Sequence, residues 1–167
     1  ELNIIPMSIS YEYEPCDILK AREVVISRKR KYVKAEGEDL NSIIVGIKQT
    51  KGNVHLNIGA PLTSEEISLA AQCDKNDRYQ LIRHAVDRRV VDGYRLWKNN
   101  YIAYDLLNHS YKYSHMYEPA DVEAFVAYMQ HQLDTVEPEI NREDLRRIFL
   151  DIYANPVVSK ELLEKER

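Results

Sequence analysis

Histidine is the residue type in this chain that most readily supplies a general base or a metal ligand. No two of the histidines have the i, i+4 spacing that brings a pair of ligands to one face of a helix. His109 and His115 are the nearest pair, and their separation of six residues matches one helical face poorly. Histidines dispersed in this way are typical of surface and helix-capping positions. We therefore predict no metal site. The five histidines are His55, His84, His109, His115 and His131.

The two cysteines, Cys16 and Cys73, are too few for a metal cluster and indicate a reducing compartment. Cys16 lies near the start of a predicted helix, where a thiol pKa can fall. The sequence identifies no partner base, so a free-standing enzyme that uses Cys16 or a histidine is only a third hypothesis. The five glycines are not clustered, which excludes a glycine-rich phosphate loop. We predict no catalytic residue and no cofactor.

The composition limits the class of protein. A chain of 167 residues is long enough for one domain with a core. Its hydrophobic fraction of 44% and charged fraction of 30% are unlike those of disordered or membrane-spanning chains. A net charge of -4 argues against a nucleic-acid partner. These values are typical of a cytoplasmic globular protein.

The first residues have the pattern of a β-strand. Ile4 and Ile5 are apolar on both faces, as in a strand that is covered on both sides, and Met7 begins an alternation with polar residues. A central strand is unusual at a free terminus because fraying would expose it. We therefore expect a piece of a longer protein, the alternative being a protein that simply starts with a strand. The apolar positions of this segment are Leu2, Ile4, Ile5, Met7, Ile9, Tyr11 and Tyr13.

Two helices and a second strand follow. The first helix begins at about Asp17, the second spans residues 39–50, and the second strand contains Val54, Leu56 and Ile58. A strand, crossover helices and a strand predict a parallel, right-handed pair. Because two strands alone make a poor sheet, we expect more strands from a missing N-terminal portion or from a second copy in a homodimer.

The rest of the sequence is helical. Thr63 or Ser64 can cap a helix, and apolar stripes at helical spacing continue to Asn155-Pro156, which we predict to end the last long helix. The predicted fold class is thus α/β but mostly helical: a few-stranded parallel sheet remnant followed by a helical C-terminal extension. We place the boundary between residues 1–64 and 65–167.

Tyrosines and basic residues each allow two interpretations. Five of the twelve tyrosines lie between residues 101 and 117, a clustering that favours half-buried packing over a lipid- or ligand-facing belt. The basic run from Arg28 to Lys34 is typical of the C-terminal end of a helix. Its functional alternative is attraction to an anionic membrane surface or to an acyl carrier.

Two segments together resemble the phospholipid/glycerol acyltransferase family. Residues 3–13, with Ile4-Ile5-Pro6 before a strand, resemble a late block of that family. Residues 51–66 resemble its next strand, with the turn Gly59-Ala60-Pro61-Leu62 and an acidic helix start. Downstream, residues 87–94, followed by residues 100–103, are similar to the helical tail of glycerol-phosphate-type members. The order and spacing of these segments carry the resemblance.

The resemblance implies transfer of an acyl group from acyl-CoA or acyl-carrier protein to a glycerol-phosphate or lysophospholipid hydroxyl, in phospholipid synthesis. It also implies a cytoplasmic location, peripheral on the inner face of the membrane. The family uses a His-x-x-x-x-Asp pair, and no histidine here has an Asp five residues later; His109 meets Ser114. The family's Glu-Gly-Thr-Arg phosphate block is missing as well.

Both missing blocks precede the late proline motif in the family. We therefore expect the C-terminal portion of an acyltransferase, inactive by itself, in which Ile5 and Pro6 lie near an acyl pocket. The alternative is a non-enzymatic helical interaction module that binds a partner through its tyrosine-rich helices.

Overall fold

The computed structural model describes residues 3–166. Leu2, which we predicted in the first strand, lies outside the described residues. The mostly helical character is confirmed, since these residues form seven α-helices and two strands. The elements are β1 (Met7–Tyr11), α1 (Asp17–Lys29), α2 (Glu38–Lys48), β2 (Val54–Ile58), α3 (Ser64–Ala71), α4 (Lys75–Gly93), α5 (Lys98–Asn108), α6 (Pro119–Asp134) and α7 (Arg142–Lys165), with one 3₁₀ turn at Ser114–Met116.

The predicted parallel arrangement of the strands is wrong, because β1 and β2 are antiparallel. The Glu12 N–H donates to the Asn53 carbonyl at 2.9 Å, and at the opposite end the Gly59 N–H donates to the Pro6 carbonyl at 2.8 Å. The connection holds two helices, α1 and α2, and it returns the chain to the end of β1 that it left. A single crossover helix would have delivered the chain to the other end.

The chain divides into two compact units. Unit 1 contains residues 3–10, His55–Arg95 and residues 158–166, and unit 2 contains Tyr11–Val54 and Leu96–Val157. The boundary at residue 64 that we placed from the sequence concerns a longer protein and stays a prediction. Within residues 3–166, no helix combines the length and the apolar composition needed to cross a bilayer.

In unit 1, hydrogen bonds define the start of α3 and join α3 to α4. The Thr63 hydroxyl accepts from the Glu66 N–H at 3.2 Å, and the Glu66 carboxylate accepts from the Thr63 N–H at 2.7 Å, forming a capping box. Arg89 of α4 donates two hydrogen bonds to the same carboxylate, at 3.0 and 2.8 Å. Glu66 therefore both caps α3 and ties it to α4.

Unit 2 has a continuous apolar core built from α1, α5, α6 and α7. Pro156 lies inside α7, so the predicted helix end at this proline is wrong. Its neighbours Tyr153, Ala154 and Val157 are buried, and this packing outweighs the backbone hydrogen bond that a proline removes. The aromatic centre of the core consists of Phe125, Phe149 and Tyr153, with ring centroids 5.2 to 6.5 Å apart.

Candidate functional site

The first candidate is the sheet, whose apolar and polar sides are inverted. On β1, Ser8 and Ser10 are buried, whereas Met7 and Ile9 are exposed; Ser10 is 0% exposed and Ile9 46%. A strand with one solvated face normally turns its apolar residues to the core. The outward side of this strand is therefore the one suited to bind something apolar.

The outward residues of β2 continue that surface. The hydrogen bond from the Gly59 N–H to the Pro6 carbonyl sets a register in which Met7 lies opposite Ile58, and Ile9 opposite Leu56. Leu56 and Ile58 are exposed, as is Ile5 at the beginning of the chain. Contiguous exposed apolar patches mark interaction or binding sites. We call this patch the apolar sheet face; it consists of Ile5, Met7, Ile9, Leu56 and Ile58.

The two predicted substrate-binding residues are on opposite sides of the sheet. Ile5 belongs to the apolar sheet face and is exposed. Pro6 is buried, and its carbonyl accepts the Gly59 N–H. Their side chains thus do not share one surface, and a role for either in binding an acyl chain stays a prediction.

The polar side of the sheet packs against the C-terminal end of α4. The Ser10 hydroxyl accepts the Arg95 N–H at 3.1 Å. A Cβ at position 93 would collide with the side chains of Asn57 and Ser8, so the approach of α4 requires glycine there. Because this side is occupied within unit 1, the apolar sheet face is the side that is open to a ligand or partner.

A second cluster, in unit 2, surrounds a buried carboxylate. Asp17 is 0% exposed, and its Oδ2 accepts the hydroxyls of Tyr128 and Tyr153, each at 2.7 Å. Its Oδ1 accepts the Ile18 N–H at 2.7 Å and the Gln49 side-chain amide at 3.3 Å. Four donors compensate the loss of solvation of this carboxylate.

Burial, and next the charge of Asp17, raises the pKa of both Tyr128 and Tyr153. Both hydroxyls therefore keep their protons at neutral pH and donate to Asp17. The cluster joins the start of α1 to α6 and α7. With its carboxylate closed to solvent and fully hydrogen-bonded, it stabilises the fold and offers no group to a substrate.

Cys16 stands at the start of α1 with a positive φ of 61°. Its thiol donates to the Ser42 carbonyl at 3.2 Å, and its N–H donates to the Gln49 side chain at 3.1 Å. Within residues 3–166, no hydrogen bond joins this thiol to a histidine or a carboxylate that could activate it. The contacts of Cys16 hold α2 against the start of α1.

A third candidate is a cavity of about 610 Å³ in unit 2, lined by α5, α6 and the segment between them. Its floor is apolar, from Ile102, Leu106 and Val122, and its rim includes His109 and Tyr111. A mostly apolar cavity with a few polar groups is the usual form of a small-molecule site. The clustering of tyrosines was apparent from the sequence, whereas the cavity that Tyr111 and Tyr117 line was not.

Asp105 lies at the wall of this cavity and is buried. It accepts the Tyr117 hydroxyl at 2.8 Å, the Tyr113 N–H at 2.9 Å and the Ser110 hydroxyl. Burial, followed by the hydrogen bond to Asp105, raises the pKa of Tyr117 to about 12. The carboxylate thus organises the segment between α5 and α6, and the hydrogen bonds that Asp105 accepts leave it engaged in the fold.

The histidines do not converge. His109 ends α5 with a φ of 49°, and His84 pairs with Glu166 at 3.9 Å. In the described part of the chain, no group of three or more His, Cys, Asp or Glu side chains could hold a metal ion.

No protein-family model matches this chain, and neither a curated protein nor a solved structure shows significant similarity to it.

Proposed function

We propose that this chain is the C-terminal portion of an acyltransferase that moves an acyl group from an acyl-CoA or acyl-carrier-protein thioester to a glycerol-phosphate or lysophospholipid hydroxyl, in phospholipid synthesis. The resemblance of residues 3–13 and 51–66 to that family suggests the reaction. The apolar sheet face is the observation that carries the proposal, because it is the surface that a larger α/β domain would cover.

The reasoning rests on how such domains are layered. Strands within an α/β sheet are covered on both faces, and many of these sheets combine parallel strands with an antiparallel one. Here α4 covers one side of the β1–β2 pair, and the other side exposes five large apolar residues. An isolated two-stranded sheet is marginal in water. Further strands and helices from the same protein would complete this sheet.

The chemistry would come from the part of the enzyme that carries the His-x-x-x-x-Asp block. There the histidine removes the proton of the acceptor hydroxyl while the aspartate orients the ring. The hydroxyl oxygen then bonds to the thioester carbonyl carbon, and the thiol leaves. The residues of this chain supply no base; Ile5, on the apolar sheet face, would contact the apolar part of the substrate.

Two measurements test this proposal. The coding sequence upstream of Glu1 should contain an in-frame His-x-x-x-x-Asp block, and the complete protein should acylate glycerol phosphate or a lysophospholipid from an acyl thioester. The 167-residue chain should show no turnover under the same conditions. Turnover by the isolated chain, or a complete protein that lacks the block, would contradict the proposal.

The cavity beside Tyr111 favours a second candidate, a non-enzymatic interaction module. Tyr111 is exposed at the rim of this cavity, where an aromatic side chain suits a binding partner. Under this alternative, the complete protein transfers no acyl group to any glycerol-phosphate acceptor, and Tyr111→Ala abolishes capture of its partner.

A further inference from the structure

Helix α2 in unit 2, like the sheet, turns its large apolar side chains outward. Its inward residues are small or polar: Cys16 donates to the Ser42 carbonyl, and a Cβ at Gly46 would lie 3.3 Å from the Cys16 sulfur. Small residues at this contact let α2 approach the start of α1 closely. The helix therefore keeps its position without burying its large apolar side chains.

Those side chains point away from the unit. They recur at i, i+3, i+4 and i+7, which places them on one face of the helix. All four are exposed, and Ile47 is 73% exposed. We call this surface the isoleucine stripe; it consists of Leu40, Ile43, Ile44 and Ile47.

A strongly basic segment, residues 28–34, precedes the stripe along the chain. Residues 28–51 contain seven basic and three acidic residues, a net charge of +4, while the whole chain carries -4. Arg28 and the residues up to Lys31 are exposed, and none of them forms an ion pair within residues 3–166. Lys34 pairs with Asp39, in the first turn of α2, at 2.5 Å. The hydrogen bond from Tyr32 to Glu38 also holds this segment against the start of α2.

We propose that the isoleucine stripe and the basic segment together form a docking surface for an anionic lipid bilayer. A helix that lies in the membrane interface has one apolar face and adjacent Lys or Arg residues. The apolar side chains enter the boundary between headgroups and acyl chains, while the basic side chains stay at the anionic headgroups. Arg28 to Lys31 and the stripe supply these two requirements in one contiguous segment.

The charges favour a bilayer over a protein as the occupant. A protein surface that covered the stripe would also approach the basic segment, and it would need a matching carboxylate for each cation that it desolvated. A bilayer meets the same cations with mobile phosphate groups and leaves them in contact with water. This surface belongs to unit 2, and the inference does not depend on the acyl-transfer proposal.

Vesicle sedimentation of the 167-residue chain tests the inference. We expect the chain to bind vesicles of phosphatidylcholine mixed with phosphatidylglycerol, and not vesicles of phosphatidylcholine alone. Salt should release it, since 1 M salt shortens the screening length to about 3 Å. The double variants Lys29→Glu/Lys31→Glu and Ile43→Gln/Ile47→Gln should each lower the partition coefficient at least about tenfold, because each removes one of the two contributions.

Matched variants elsewhere separate this surface from general charge or hydrophobicity. Leu69→Gln on α3 removes an apolar side chain that is 58% exposed, against 59% for Ile43. Lys75→Glu/Arg83→Glu on α4 reverses two exposed charges. Both controls should bind like the parent chain, and circular dichroism should show every variant folded.

Three results would overturn the inference. The first is a failure of the parent chain to bind anionic vesicles, and the second is unchanged binding by either double variant. The third is a dimer of the chain in light scattering that Ile43→Gln/Ile47→Gln converts to a monomer, which would make a second copy the occupant. No acyl donor is present in any of these measurements, so they fail independently of the enzymatic proposal.

Discussion

The core of unit 2 and the sheet of unit 1 distribute apolar and polar residues in opposite ways. Unit 2 buries a continuous core around Phe125, Phe149 and Tyr153, and its buried carboxylate Asp17 is fully hydrogen-bonded. The sheet of unit 1 buries Ser8 and Ser10 and exposes the apolar sheet face. The core of unit 2 is thus fully packed, and its buried carboxylate is hydrogen-bonded. The sheet of unit 1 instead leaves the apolar side chains of one face exposed to solvent.

The core of unit 2 stabilises the isolated chain, whereas the apolar sheet face is available to a partner. Burial of apolar area is the main stabilising contribution in folding, so the core of unit 2 should dominate the stability of the isolated chain. The apolar sheet face contributes little until something covers it. Substitutions in the two places should therefore have very different effects.

Phe149→Ala should have the largest effect. Phe149 is fully buried in the centre of the unit 2 core, and removing its ring leaves a cavity that the surrounding helices cannot fill. We expect a loss of about 3–5 kcal/mol in the free energy of unfolding, measured by urea denaturation. A loss below about 1 kcal/mol would show that the core of unit 2 is not tightly packed around Phe149.

Tyr153→Phe tests the buried carboxylate and keeps the volume of the core. The change removes one donor from Asp17 and the acceptor of the Glu14 N–H, which lies 3.0 Å from the hydroxyl. We expect a loss of about 1–3 kcal/mol in the free energy of unfolding, from the same denaturation series. The exposed Tyr111→Phe is the control and should change nothing. Equal stabilities of the two variants would contradict the importance of this cluster.

The sequence predicted local structure better than direction and burial. The strand at Val54–Ile58 and the helix near residues 39–50 are confirmed, because both depend on short-range periodicity. The predicted strand direction was wrong, since the two predicted helices do not show at which end of β1 the chain returns. The inverted faces of β1 and α2 were not foreseen, because periodicity shows that apolar residues share a face and not which side the fold covers.

The sequence predicted Ile5 and Pro6 as site residues, and it offered the tyrosine cluster and the basic run from Arg28 to Lys34 as functional alternatives. The hydrogen bonds of Asp17 join residues up to 136 positions apart, as for Asp17 and Tyr153, and the cavity depends on how α5 and α6 pack against each other. No local pattern reports such contacts. The sequence predicted the start of α1 at about Asp17, and that prediction gives no indication that two tyrosine hydroxyls donate to this carboxylate.

Glu137→Gln should have a smaller, pH-dependent effect. Its hydrogen bond to Arg22 lowers the pKa of Glu137 from 4.5 to about 2. A lowered pKa stabilises the fold above 4.5, and this contribution is lost as the pH falls from 4.5 to 2. Because the side chain is half exposed, we expect a loss below about 1 kcal/mol at pH 7.

The difference between Glu137→Gln and the parent chain should fall steeply as the pH drops from 4.5 to 2, where about half of the native carboxyl is protonated. Thermal denaturation of both proteins between pH 2 and pH 7 measures this, with Glu139→Gln on the same loop as the control. A difference that is constant over this range would exclude the ion pair as its cause.

The smallest effects should come from the apolar sheet face, where Ile9→Thr and Leu56→Thr replace exposed side chains and keep or improve β-branching. We expect each to change the free energy of unfolding of the isolated chain by less than about 0.5 kcal/mol. The same substitutions in a longer protein that covers this face should cost about 1–3 kcal/mol, because the lost apolar area is then buried. Denaturation of both forms gives the comparison.

Ser10→Val is the matched control from the opposite side of β1. It places an apolar side chain where Ser10 is fully buried, and it removes the acceptor of the Arg95 N–H. We expect a loss of about 1–3 kcal/mol in the isolated chain. Adding an inward apolar residue should thus destabilise the sheet more than removing an outward one, the reverse of an ordinary amphipathic strand. If Ile9→Thr instead destabilises the isolated chain as much as Ser10→Val, the apolar sheet face is already covered within this chain or by a second copy, and the proposed partner domain is not needed to explain it.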